Sequence, residues 1–151
     1  MKKIITVALL LLSTLSFCQI KVVKTIPIEK LGRLSNKVFI QKEAEEYTIF
    51  YLNTVEDRSS DNYKSINFKN IDNDYNNLYT IIMDGFSASP LYDIKLELPN
   101  DYVWLHYITT SDKVMVQLMT TNKTTSSNGI STSFTIEDIN KLFQKIDAVK
   151  S

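Results

Sequence analysis

The chain has 151 residues, with 17 basic against 17 acidic side chains, one histidine, one cysteine, three glycines and three prolines. That length suits one domain, and balanced charge with no block of like sign offers no basic face to a nucleic acid. Aromatic residues make up 11% of the chain and Gly and Pro are scarce, which points to a packed domain rather than a disordered tail.

The chain opens with Lys2 and Lys3, an apolar run from Ile4 to Leu12, and Ser16-Phe17-Cys18. A positive start, an apolar stretch too short to span a bilayer and small residues around Phe17 read as a secretory signal peptide over residues 1–18, cut between Cys18 and Gln19. This ending, with Gln after the cut, and the general texture of the chain resemble small exported proteins of Bacteroidetes-type bacteria. The resemblance implies a secreted or periplasmic protein and no particular activity. A lipoprotein signal also ends in Cys, and acyl chains on Cys18 would anchor the protein to a membrane. The residue before that Cys should be small and here is Phe17, so plain cleavage is the better reading. Cys18 leaves with the signal, so residues 19–151, read as one domain, hold neither a disulfide nor a Cys-ligated zinc. No later apolar run approaches the roughly 18 residues of a membrane span.

Val22 to Ile28 reads as a first strand, weakened by Pro27. Val38–Ile40 and Tyr47–Leu52 form a hairpin around the charged segment 42–46, and a polar loop from Asn53 to Lys64 leads to a short strand, Ser65–Lys69. Tyr75, Leu78, Tyr79, Ile82, Met83 and Phe86 share one face of a helix. Asp72 is the expected N-cap, and Gly85 and Pro90 bracket the expected stop. Ile94, Leu96 and Leu98 alternate with charged residues, which gives a strand with one wet face. Pro99-Asn100-Asp101 then turns the chain into Tyr102–Thr109, apolar on both faces and therefore central. Tyr102, Trp104, His106 and Ile108 fall on one face, Val103, Leu105 and Tyr107 on the other. A strand Val114–Met119, a polar loop Thr120–Asn128 with a turn at Asn128-Gly129, and a strand Ile130–Phe134 follow. Thr135 caps a final helix carrying Ile136, Ile139, Leu142, Phe143 and Ile146, and Thr135-x-x-Asp138 is a form of the capping box. The order predicts an α+β fold: a single antiparallel sheet of five to seven strands with two amphipathic helices packed on it, and no internal repeat.

Few residues carry a chemical signature. Asp72-x-Asp74-x-Asn76 begins like a calcium loop, but Asn77 and Met83 stand where Gly and Glu are needed, so helix capping explains it. His106 is the single histidine, and without Cys a zinc site is not indicated. A Ser-His-Asp triad would need a nucleophile elbow that the chain lacks. Glu45-Glu46 and Glu56-Asp57 lie in turns, whereas glycosidase carboxyls must face each other across a cleft. Asn122-Lys123-Thr124 matches a glycosylation sequon without further support.

The functional expectation therefore rests on aromatic strands. Helices cover one face of a sheet, and Tyr47, Tyr51, Tyr102, Trp104, His106 and Tyr107 are the candidate binding residues if the second face is open. The expected function is an exported, non-enzymatic binding protein acting through that face or the polar loops. Its partner would be a protein, a peptide or a glycan, a homodimer is one way of covering the face, and no cofactor or metal is implied. The alternatives are a small envelope hydrolase using His106 with a carboxylate, and a structural accessory subunit of a secreted assembly.

Overall fold

A computed structural model describes residues 25–55, 62–88 and 90–145. The proposed signal peptide and the start of the expected first strand lie outside the described residues. Eight strands and two helices follow in the order β1 (Ile28–Leu34), β2 (Val38–Glu43), β3 (Glu46–Leu52), β4 (Tyr63–Lys69), α1 (Asp74–Ala88), β5 (Ile94–Glu97), β6 (Asp101–Thr109), β7 (Val114–Asn122), β8 (Asn128–Phe134) and α2 (Ile136–Leu142). The fold is α+β with two helices, and the expected single sheet is corrected to two antiparallel meanders of four strands, β1-β2-β3-β4 and β5-β6-β7-β8. Period-two alternation shows which face of a strand is buried but not which strands are neighbours. The helix between β4 and β5 carries the chain to a new sheet.

Four strands followed by a helix thus occur twice, although the two halves show no sequence repeat. Each sheet turns one face to a shared core: Val38, Ile40, Ile49, Tyr51 and Ile66 from the first, Val103, Leu105, Val116 and Leu118 from the second. Leu78, Ile82 and Phe86 of α1 and Ile139 and Leu142 of α2 complete it. α1 packs on β6 and β7 of the sheet that follows it, and α2 packs chiefly on β1 of the sheet that comes first, with β2 and β8 beside it.

Both crossings need a missing side chain. A Cβ on Gly32 of β1 would fall 1.8 Å from the Leu142 carbonyl oxygen, and one on Gly85 of α1 would fall 2.1 Å from the Tyr107 hydroxyl. Gly85 therefore does not end the helix as expected: it lies inside it, where β6 approaches closely. The Tyr107 hydroxyl donates to the Ile82 carbonyl at 2.7 Å and ties α1 to β6.

Other local expectations shift for identifiable reasons. The first strand begins at Ile28, after Pro27. Asp72 is not the cap of α1: Asn73 precedes the helix, its carbonyl accepts from Asn76 and Asn77, and Asp74 turns its carboxylate back to the Ile71 N–H. β7 runs on to Asn122 and Asn128-Gly129 lies inside β8, so the expected nine-residue loop shrinks to a tight connection around Asn122. The Asn122 side chain accepts from the Thr124 and Thr125 N–H groups there. The capping box at Thr135 and Asp138 is complete, with both reciprocal bonds present.

Candidate functional site

The six aromatic-strand candidates divide between the two sides of the sheets. Tyr47 and Tyr51 alternate with Ile49 on β3 and face the core, where Tyr51 is 0% exposed. Tyr47 stacks on Tyr75 of α1 with ring centroids 4.5 Å apart. The Tyr51 hydroxyl is bonded to the Thr120 hydroxyl across the seam between the sheets. Burial pushes the Tyr51 phenol above its ordinary value against the Thr120 bond, and the Asp101 carboxylate adds to the rise. Tyr107 also faces inward, against α1, and burial raises its phenol with a smaller push from Asp84.

Tyr102, Trp104 and His106 stand together on the outer face of the second sheet, each only partly buried. The register surrounds them with polar groups. Lys95 of β5 is opposite Trp104 and Glu97 opposite Tyr102, while β7 places Thr121, Met119 and Gln117 beside Tyr102, Trp104 and His106. The Lys95 ammonium lies 4.0 Å from the Tyr102 ring centroid and 5.4 Å from that of Trp104. Lys123 approaches Tyr102 at 4.8 Å and bonds Glu97 at 2.8 Å. That bond, then the lysine's charge, holds the Glu97 carboxyl below its usual range. Cation–π contacts of this kind keep the ring faces oriented while leaving them in reach of solvent.

Asp93, just before β5, accepts a hydrogen bond from His106 Nδ1 at 2.7 Å. The His106 and Asp93 side chains are 43% and 32% exposed, so the pair belongs to the surface and not to a closed cleft. Beside it, Asp93, Trp104, Met119, Thr121, Asn128 and Ile130 line a shallow recess of about 350 Å³. Among the described residues no three His, Asp or Glu side chains are grouped to hold a metal ion. No helix among them is long and apolar enough to cross a membrane.

Alternation alone places Trp104 and His106 on one face; strand pairing is what brings Asp93, Lys95, Met119, Asn128 and Ile130 beside them. The signal was present: once Pro99-Asn100 sets the hairpin, the wet positions of β5 must fall beside the outer positions of β6. Also unanticipated was an outer aromatic group on the first sheet, Phe39 stacked on Phe50 at 4.8 Å with Tyr63 edge-on at 5.7 Å.

No known protein family, curated protein or solved structure matches this chain. What the surface does must therefore follow from its own chemistry.

Proposed function

We propose that this is an exported, non-enzymatic binding protein whose ligand lies across the outer face of the second sheet. The observation that supports the reading is the conjunction of two partly exposed aromatic rings, Tyr102 and Trp104, with a recess whose rim supplies hydrogen-bonding groups. The rings offer flat apolar area at low entropic cost, and Asp93, bonded to His106, and Asn128, bonded to Thr121, offer their remaining donors and acceptors at the recess. A glycan ring or an extended peptide both meet such a surface with one apolar face and a polar edge.

The His106–Asp93 pair favours a second reading, the small hydrolase, because a carboxylate that orients an imidazole is half of a catalytic triad. That reading needs a nucleophile within hydrogen-bond reach of Nε2. The neighbours of His106 on its face are Trp104 and Ile108 on β6 and Gln117 on β7, none of them a nucleophile. Ser133 lies one strand further out, opposite Gln117, which puts it about 9–10 Å away across two strand spacings. Binding is the better supported function.

The chain has one tryptophan, so its fluorescence reports this site alone. Titration with a glycan panel and a peptide panel should shift the Trp104 emission for a cognate ligand. Trp104→Ala should then weaken that ligand at least tenfold with little change in the unfolding midpoint, since truncating an aromatic anchor typically costs about 2 kcal/mol or more of binding. Ligand binding that leaves the emission unmoved and survives Trp104→Ala would refute the assignment. Ester or glycoside turnover lost in His106→Ala would move it to the hydrolase.

A further inference from the structure

The four outer edges of the two sheets are treated differently. An uncovered strand edge presents unpaired backbone N–H and C=O groups, and folds usually block it. β1 breaks register between Lys30 and Arg33, and α2 packs against it at Gly32. β8 is covered where the Thr54 N–H donates to the Ile130 carbonyl (2.8 Å) and the Ile130 N–H donates to Asn53 Oδ1 (3.0 Å). Among the described residues β4 and β5 have no such backbone cover, and one side-chain bond, from the Asn100 amide to Asn67 Oδ1 at 3.3 Å, links β4 to the turn after β5.

Their outward groups can be named. The Asn53 N–H bonds the Asn62 carbonyl and the Asn70 N–H bonds the Glu45 carbonyl, so at even positions the backbone of β4 turns toward β3. Alternation then directs the N–H and C=O of Tyr63, Ser65, Asn67 and Lys69 away from the sheet. The Leu98 N–H bonds the Asp101 carbonyl, so Lys95 and Glu97 likewise direct theirs away from β6. Among the described residues no backbone hydrogen bond beyond the β3 and β6 pairings reaches these groups.

The two open edges flank a groove of about 650 Å³ floored by Phe68, Ile71, Leu78, Ile81, Leu96 and Leu98. Ile71 is 76% exposed and adds apolar surface to the groove. Of the charges around the groove, Glu97 is bonded to Lys123 and the Lys95 ammonium lies over the outer-face rings. Glu46, which accepts from the Asn67 side-chain amide at 3.0 Å, and Asp74, which accepts from the Ile71 N–H at 3.3 Å, keep their charge and face only Lys69, an excess of carboxylate.

We propose that this groove is a strand-addition site. An extended segment of a partner polypeptide pairs with the outward groups of Asn67 and Lys69, sets alternate apolar side chains on the floor, and carries a basic residue that meets Glu46 or Asp74. Main-chain bonds supply affinity in this mode and alternate side chains supply specificity. The concave floor and a volume in the range of a small-ligand site suit a single strand rather than the face of a second folded copy. The groove borders the outer aromatic face at Lys95 and Glu97 of β5, but strand addition uses the backbone of β4 and not the Tyr102 and Trp104 rings, so either assignment can fail without the other.

A random linear dodecapeptide library displayed on phage and selected on the purified protein tests this, with the enriched peptide then synthesised. The enriched set should alternate apolar residues and contain Lys or Arg. Its best member should slow amide exchange at Asn67 and Lys69 at least tenfold. N-methylation of its alternate amides should weaken it at least tenfold, because the side chains are kept while the ladder is lost. Lys69→Pro, which removes an outward N–H that no β3 bond uses, should weaken it as much, and Lys69→Ala should not. The proposal is overturned if no peptide is enriched, if the N-methylated peptide binds as well, or if protection appears away from β4. Should Lys69→Pro fail to fold, the exchange and N-methyl measurements still decide.

Discussion

The two sheets share an element order and differ in what they do with their aromatic residues. On the first, the outer aromatics Phe39, Phe50 and Tyr63 pack on one another, and the Tyr63 hydroxyl is bonded to the Asn36 carbonyl at 2.5 Å. On the second, Tyr102 and Trp104 meet only at a tilt with centroids 6.1 Å apart, lie under Lys95 and Lys123, and stand beside the Asp93–His106 pair and an open recess. Closely stacked rings need no partner, whereas rings flanked by lysine ammonium groups can exchange those contacts for a ligand. The same residue class is thus packing on one half and a candidate binding surface on the other.

The largest effect expected separates the two helix crossings. Gly32→Ala meets a backbone carbonyl that cannot rotate aside, so it should cost more than about 3 kcal/mol or prevent folding. Gly85→Ala meets the end of the Tyr107 side chain and should cost about 1–3 kcal/mol. Urea unfolding of both variants measures the difference, and equal losses would mean that the halves tolerate crowding alike.

Next comes the inward against the outward tyrosine. Tyr51→Phe leaves the buried Thr120 hydroxyl without its partner and should cost about 1–3 kcal/mol. Tyr102→Phe, on the solvent side, should stay within about 0.5 kcal/mol. Chemical denaturation midpoints check both.

Alkaline pH sharpens the same contrast. Burial, with a smaller contribution from Tyr47, pushes the Tyr75 phenol up from 10.0 to about 12 in the folded protein, and the phenols of Tyr51 and Tyr107 are raised as well. Unfolded tyrosines lose their protons first, so the unfolded state binds fewer protons in this range. The contribution of these groups is fully present below pH 10 and is lost as pH rises from about 10 through about 12. Urea midpoints should fall across that window, and the absorbance of tyrosinate should develop later in the folded protein than in urea. Midpoints constant across it would refute the burial assigned to these rings.

The smallest effects compare the outer faces directly. Phe50→Ala breaks a stacked pair and should cost about 1–2 kcal/mol through lost stacking and burial. Lys95→Ala removes cation–π contacts and a weak attraction to Glu97, and should cost about 0.5–1 kcal/mol while changing the Trp104 emission. A larger stability loss from Lys95→Ala than from Phe50→Ala would reverse the roles given to the two faces.

Much of this was legible in single elements. Alternation assigned Val103, Leu105 and Tyr107 to one side of β6 and Tyr102, Trp104 and His106 to the other, because strand side chains point to opposite faces whatever the surroundings. The spacing from Tyr75 to Phe86 marked the inner face of α1, and Thr135 with Asp138 marked the start of α2. Tyr47 and Tyr51 share the parity of Ile49 on β3, and burial of that face takes them out of the aromatic surface that strand position alone would allow.

What the chain determined alone was therefore local: strand faces, helix stripes, a capping box and the turn at Pro99-Asn100, all set by dihedral preference and side-chain period within a few residues. Tertiary structure decided which strands pair, where the chain leaves one sheet for another, and which edges remain open. Those outcomes depend on contacts between distant residues, such as Gly32 with Leu142 and Tyr51 with Thr120. No local period encodes them, because each is selected by the packing of the whole core.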